Sequence, residues 1–337
     1  MKALKFSALI LVTFAISLAS CKNEEAHMPN VIGALGEVLV IMEDHFREGP
    51  EGDSLMAILK QPIVALPQNE ALFTVLTTPH RGFTGTMRTY RSIILVNLGP
   101  NAEDEGIKYF STTPYAKDQS LIQINAKTSE KFFEILSQEE IRILSYLLRR
   151  ERNRIYSSYK TIADASLSEM VKNQWEVNML IPNTMRKAAS TGKFTWLSYE
   201  TPKLSQGMMI YSFDYIGEGT FSREYILNKR DSILRYNVPG PSDGSFMTTE
   251  KQLPVTYKRL TINGHEAIEM RGLWKVEGDL MGGPFLLFAH YDKTNNRVLV
   301  TDGYVYFPEE PKKRNYMWQL ETLFHTVTFP GDNIEGK

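Results

Sequence analysis

The hydrophobic period of this chain changes along its length, and that change limits the folds open to it. Up to about residue 126, apolar residues cluster or alternate in short runs. Glu37-Val38-Leu39-Val40-Ile41-Met42, residues 73–77, 92–97 and 119–125 are such runs, bounded by turn residues such as Gly99-Pro100. Short alternating runs between turns are strands. From 129 to about 160 the apolar residues recur every three to four positions (Phe132, Leu136, Ile143, Leu147, Ile155, Tyr159). That is the stripe of an amphipathic helix. Inside it, Ser137-Gln138-Glu139-Glu140 reads as a capping box and predicts a break into two helices.

A second box, Ser166-Leu167-Ser168-Glu169, opens a short helix to about 174. Alternation then returns. Strands are expected over 175–181, 193–200, 206–215, 258–262, 266–274, 285–291 and 297–307, with helices over 221–235 and 316–324. In the first half, 53–60 has room for one or two helical turns. Strands grouped with helices, rather than strictly alternating with them, favour an α+β fold. The expectation is two mixed halves, each with antiparallel sheets packed against helices, over 32–163 and 164–330, followed by a tail at 331–337.

Two domains suit a chain of 337 residues, and 42% hydrophobic residues are ample for their cores. Lys and Arg total 38 against 39 Asp and Glu, which gives no electrostatic footprint for nucleic acid. The chain has one cysteine, so an intrachain disulfide framework and cysteine-ligated metal sites are excluded.

That cysteine has a telling position. Lys2 and Lys5 precede an apolar run over 6–18, which is shorter than a membrane span. Leu18-Ala19-Ser20-Cys21 follows, and it resembles the lipobox of bacterial lipoproteins. Residues 1–20 are therefore expected to be a cleaved signal peptide. Cys21 is expected to carry the lipid that holds the protein to a membrane, and 21–31 is expected to be a flexible tether. Lys22 followed by Glu24-Glu25 is similar to the surface-export signal of Bacteroidota lipoproteins. Position 22 is not Asp, which under the enterobacterial sorting logic argues for the outer membrane, so both its surface and its periplasmic face stay open.

Chemistry-bearing motifs are few. The sequence has no Gly-x-Gly-x-x-Gly, Walker loop, His-Glu-x-x-His or Gly-x-Ser-x-Gly. No two of its six histidines lie within five residues, so neither a metal nor another cofactor is expected. Glu43-Asp44-His45 is a candidate for ligating a metal or orienting an imidazole, against a plain polar strand end. His290 and Asp292 share a strand face and would serve an envelope hydrolase assembled in space. Arg149-Arg150-Glu151-Arg152-Asn153-Arg154 is either an anion or lipid-headgroup site, or a solvated helix face paired internally through Glu151.

The most unusual text is Arg271-Gly272-Leu273-Trp274, then Met281-Gly282-Gly283-Pro284-Phe285 and Tyr304-Val305-Tyr306. Paired glycines imply positive φ or a very close backbone approach. Arg271, Trp274, Gly282, Gly283, Pro284, Tyr304 and Tyr306 are the candidate binding surface for an envelope protein, a peptide or a glycan. Their alternative role is packing. Lys312-Lys313-Arg314 would add a cation–π rim, or else form a surface turn.

These segments, with Leu66-Pro67-Gln68, Phe194-Thr195-Trp196-Leu197 and Val238-Pro239-Gly240-Pro241, resemble an uncharacterised lipoprotein family of Bacteroidota. The resemblance implies a lipid-anchored envelope protein and supplies no catalytic residues. The later half is also similar in outline to the compact α/β/α sandwich of photosystem-associated and Ran-binding small proteins. A non-enzymatic binding or assembly role at the outer membrane is the leading expectation. A hydrolase and a structural spacer are the alternatives.

Overall fold

The computed structural model describes residues 28–332, except 111, 114 and 311. The expected signal peptide, Cys21, most of the tether and most of the tail lie outside the described residues.

The first half is built on a five-stranded sheet of β1 (Glu37–Ile41), β2 (Thr74–Thr78), β3 (Ser92–Leu98), β4 (Gly106–Phe110) and β5 (Ser120–Ala126), in the order β2-β1-β3-β5-β4. Pairs β1–β2, β1–β3 and β3–β5 are parallel, and β4 is antiparallel to β5. This sheet is therefore mixed, where an antiparallel one was expected. The run Ile93 to Val96 is the signature of a central parallel strand, buried on both faces.

Helices α1 (Asp44–Arg47) and α2 (Pro50–Leu59) connect β1 to β2, and α3 (Ser129–Thr161) follows β5. Val38, Val40, Ile94, Ile122 and Ile124 face Leu55 and Leu59 of α2 and Phe132, Leu136, Ile143 and Leu147 of α3. Leu39, Ile41 and Ile93 face the other way and are covered by Phe83 and Tyr90 of the loop before β3. Helix α3 runs unbroken through Ser137 to Glu140, against the expected break. Its apolar stripe continues across them, and Glu139 accepts a bond from the Tyr109 hydroxyl at 2.8 Å instead of capping a new helix.

The second half is an antiparallel sheet of β6 (Arg186–Thr191), β7 (Phe194–Glu200), β8 (Ser205–Asp214), β10 (Thr256–Ile262), β11 (His265–Glu277), β12 (Gly282–Asp292) and β13 (Arg297–Tyr306). The order is β10-β11-β12-β13-β8-β7-β6, and the short β9 (Phe246–Thr249) pairs with the end of β11. Helix α4 (Ala165–Trp175) precedes it, α5 (Arg223–Asn237) joins β8 to β9, and α6 (Arg314–Phe324) closes the chain. Helix α5 lies on one face, where Arg230 reaches Asp302. On the other face lie α6, with Phe324 and Leu320 over Gly303, and α4, whose Trp175 bonds Thr195. With one mixed and one antiparallel sheet, each packed against helices, the chain has an α+β fold.

Two local expectations change. The cap of α4 is Asp164, which accepts from the Leu167 amide, so the helix begins before Ser166. Residues 175–181 form no strand. Glu176 is left-handed (φ 57°) and turns the chain out of α4. Val177, Met179 and Ile181 still alternate into the core, and the segment makes only isolated bridges at 178 and, beside it, at 182.

Candidate functional site

Along β11 and β13, even-numbered side chains face α5 and odd-numbered ones face α6. This alternation gathers Trp274, Tyr304 and Tyr306 on the α5 face, with Trp196 of β7. Ring centroids lie 5.5 Å apart for Trp274–Tyr304, 6.1 Å for Trp274–Tyr306 and 6.3 Å for Trp196–Tyr304. Together with Met247, Met281, Pro239 and Pro241 they line a cleft of about 580 Å³ at one end of the sheet. Glu200, Lys203 and Glu309 stand on its rim.

The cleft is aromatic and largely self-satisfied. The Tyr304 hydroxyl lies 3.2 Å from the Ser205 hydroxyl, which donates to Glu200 at 2.8 Å, and Lys203 pairs with Glu309 at 3.0 Å. Burial pushes the Tyr304 hydroxyl up to about 12. Trp274 is 2% exposed, and no described residue supplies a partner for its indole N–H.

The glycines of this region work by clearance. A Cβ on Gly283 would lie 2.1 Å from the Val305 carbonyl oxygen and 3.1 Å from Trp274 Nε1. One on Gly207 would lie 2.2 Å from the Tyr304 ring. Neither has positive φ, so close approach is what excludes a side chain. Gly282 is exposed, while Gly283 and Pro284 are buried in β12.

Arg271 does not join the cleft. Its odd position puts it on the α6 face, bonded to Glu269 at 2.6 Å and to Glu321 at 2.9 Å. Burial alone would raise the Glu321 carboxyl. The guanidinium of Arg271, then that of Arg152, outweighs burial and holds it down at about 2. Lys313 and Arg314 add no cation–π rim to the cleft. Lys313 is buried against Gln68, and Arg314 sits over Trp318 at 5.2 Å, both turned toward the first half.

His290 and Asp292 share the α6 face but not a site. The His290 ring is 1% exposed beside Phe288 and Phe329. Burial, then the neighbouring His325 and His265, holds its pKa down at about 3. Asp292 is committed to Arg297 at 2.8 Å and Asn295 at 2.9 Å. Glu43 does orient an imidazole, but that of His80 (2.9 Å), while His45 packs on Phe46. The second His80 nitrogen meets Asn97 Oδ1 at 3.1 Å, and Asn97 donates to Asn125 at 2.8 Å.

The arginine cluster fits neither expectation fully. Glu151 is 2% exposed and binds Arg154 at 2.6 Å and Arg91 at 3.0 Å. Arg154 also donates to the carbonyls of Arg91 and Asp118, tying α3 to the amino ends of β3 and β5. Arg152 bonds Glu321 of α6 at 2.7 Å, and only part of the cluster, including Arg149, faces solvent.

A buried ion pair with no local sequence motif lies under α5. Arg230 Nε donates to Asp302 at 2.8 Å and Nη1 to Thr249 at 2.9 Å, with the guanidinium 4.0 Å from the Phe285 ring centroid. Both partners are fully buried. Only the alternation that places Asp302 inward between Val300 and Tyr304 signalled it. Among the described residues no three His, Cys, Asp or Glu side chains converge on a metal-sized site, and no helix is long and apolar enough to cross a membrane.

Two family models match the chain. Residues 31–160 match the family described as domain of unknown function DUF8532, and 164–326 match domain of unknown function DUF4837. No curated protein matches the chain. Among solved structures, the Ran-binding protein Mog1p of Saccharomyces cerevisiae is 7% identical, with a TM-score of 0.31, over 45% of this chain and 89% of its own. A point mutant of Mog1 is 8% identical at the same TM-score, over 45% and 90%.

Proposed function

We propose that the protein is a lipid-anchored protein of the outer membrane that binds a partner in the aromatic cleft without transforming it. The observation that carries the binding role is the convergence of Trp196, Trp274, Tyr304 and Tyr306 on one concave surface. Concave, mostly apolar sites with few polar groups are the usual form of a binding pocket. Ser205, Glu200, Lys203 and Glu309 are engaged with one another or with Tyr304, which suits recognition better than proton transfer. The anchoring role rests on Leu18-Ala19-Ser20-Cys21 and the basic, apolar segment before it.

Two experiments test the two parts. Cys21→Ala should move the protein from the membrane to the soluble fraction and abolish labelling by radioactive palmitate. Persistence of both would refute the anchor. For the cleft, a photo-crosslinking residue at Tyr306 should give a discrete adduct in cells, and Trp196→Ala should abolish it. The same probe at Ile141, exposed on α3, should give none. Equal adducts from both positions, or none from Tyr306, would refute the binding site.

A further inference from the structure

The first described residues run along one end of the first sheet. The Ile32 amide bonds the Thr89 carbonyl at 2.9 Å, Arg91 N bonds the Ile32 carbonyl at 3.0 Å, and Lys117 N bonds the Pro29 carbonyl at 2.9 Å. These contacts place residues 29–32 at the amino ends of β3 and β5. Cys21 is seven residues before Met28. An extended chain spans at most roughly 3.5 Å per residue. A lipid on Cys21 therefore holds this end of the sheet within about 25 Å of the bilayer.

The two ends of that sheet differ in charge. The amino end carries exposed Arg88, Lys117 and Arg149, with the single exposed carboxylate of Asp118 beside Lys117. Arg149 is exposed on α3, two residues before Glu151, whose pairs with Arg154 and Arg91 tie the helix to the same edge. Exposed Met28, Ile32 and Met87 lie among them. The carboxyl end carries Glu43, Glu48, Glu103 and Glu105 besides Asp44 and Asp104; of its cations, Arg47 and Arg81 pair with Asp44 and Lys108 with Asp104, and Lys127 is exposed. An anionic surface would attract the first end and repel the second, and the tether emerges at the attractive one.

We infer that the amino end of the first sheet is a membrane-docking face that takes the headgroups of anionic phospholipids. Arg88, Lys117 and Arg149 supply the charge, and Met28, Ile32 and Met87 the shallow apolar contact. The assignment rests on the anchored reading above for its orientation.

The test uses residues 21–337 with Cys21→Ala, so that neither a lipid nor the basic, apolar segment before it contributes, sedimented with vesicles of phosphatidylcholine and phosphatidylglycerol at about 7:3 in low salt. Each basic side chain near an anionic surface strengthens adsorption by roughly fivefold. Combining Arg88→Gln, Lys117→Glu and Arg149→Glu should weaken partitioning by on the order of a hundredfold or more, with an unchanged urea midpoint. Reversing the exposed Lys172, Lys187 and Lys193 to Glu should change it far less. Pure phosphatidylcholine, or about 0.5 M salt, should abolish adsorption of the parent chain. Equal losses from the two sets, or no preference for anionic vesicles, would overturn the docking face. Self-association of the parent chain that the first set abolishes, without vesicle binding, would make this face a contact between copies and equally overturn it. The palmitate and fractionation results read the anchor separately, so the two claims can fail independently.

Discussion

His290 shows how one buried side chain sets a pH response. Enclosure among Phe288 and Phe329, then the nearby His325 and His265, lowers its pKa from 6.5 to about 3. Between those values the unfolded chain takes up a proton that the folded chain refuses. The stability given by neutral His290 is thus complete above pH 6.5 and is lost as pH falls toward 3. The slope is up to about 1.4 kcal/mol per pH unit. Glu321, held down at about 2 from 4.5, loses its contribution only in the lower window between those values. His290→Leu keeps an apolar filling and removes the proton site. Its urea midpoint should change little between pH 6.5 and 4.5, while that of the parent falls. A parent-like fall in the variant would assign the acid limb to another group.

At the scale of elements, the sequence reads well wherever burial sets the period. The alternating runs over 92–97, 119–125, 206–215 and 297–307 are strands, and the stripe from Phe132 to Ile155 is one helix. It reads poorly where local text competes with packing: the box at Ser137 is overridden by a continuous stripe. Strand direction in the first sheet has no local signature, because Val38-Leu39-Val40 looks alike in a parallel or an antiparallel pair. Strands β4, β6 and β9 are short or polar and went unrecognised. The aromatic members of the cleft were legible through the unusual text around Trp274 and Tyr304. Nothing local marks Trp196 as a member of the cleft, because a lone Trp in an alternating strand carries no sign of its neighbours. Arg271 was misplaced because odd and even positions on β11 face opposite ways.

The network that fastens α3 to its sheet was equally hidden, since Arg91 and Glu151 meet only in the fold. Removing Glu151 leaves Arg91 and Arg154 without their buried anion. Breaking a buried pair in this way costs about 3–5 kcal/mol. Glu151→Ala should therefore unfold at markedly lower urea. Hydrogen exchange should quicken first at the amino ends of β3 and β5, where Arg154 holds the carbonyls of Arg91 and Asp118. Loss confined to the second sheet would show that the network does not fasten this edge.

At the scale of the whole molecule, α6 makes the two halves one unit. It belongs to the second half by sequence, and Met317, Leu320, Leu323 and Phe324 pack in that core. Trp318, 7% exposed, belongs to the core of the first half, 5.7 Å from Phe73. The helix is also capped from the other half: the Glu70 carboxylate accepts from the amides of Lys313 at 2.7 Å and Arg314 at 3.0 Å. A carboxylate there satisfies free N–H groups and complements the helix dipole. Arg314 adds bonds to the carbonyls of Leu35 and Ala71, and Arg152 of α3 reaches Glu321. Neither half can open without exposing part of α6, so the parent chain should unfold in one calorimetric transition. Truncating a buried Trp costs about 3–5 kcal/mol. Here that loss falls on the contact between the halves. Trp318→Ala should therefore split the transition in two, with the lower one belonging to the first half, and Glu70→Ala should shift it in the same direction by less. Two transitions in the parent, or one intact transition in Trp318→Ala, would show that α6 does not couple the halves.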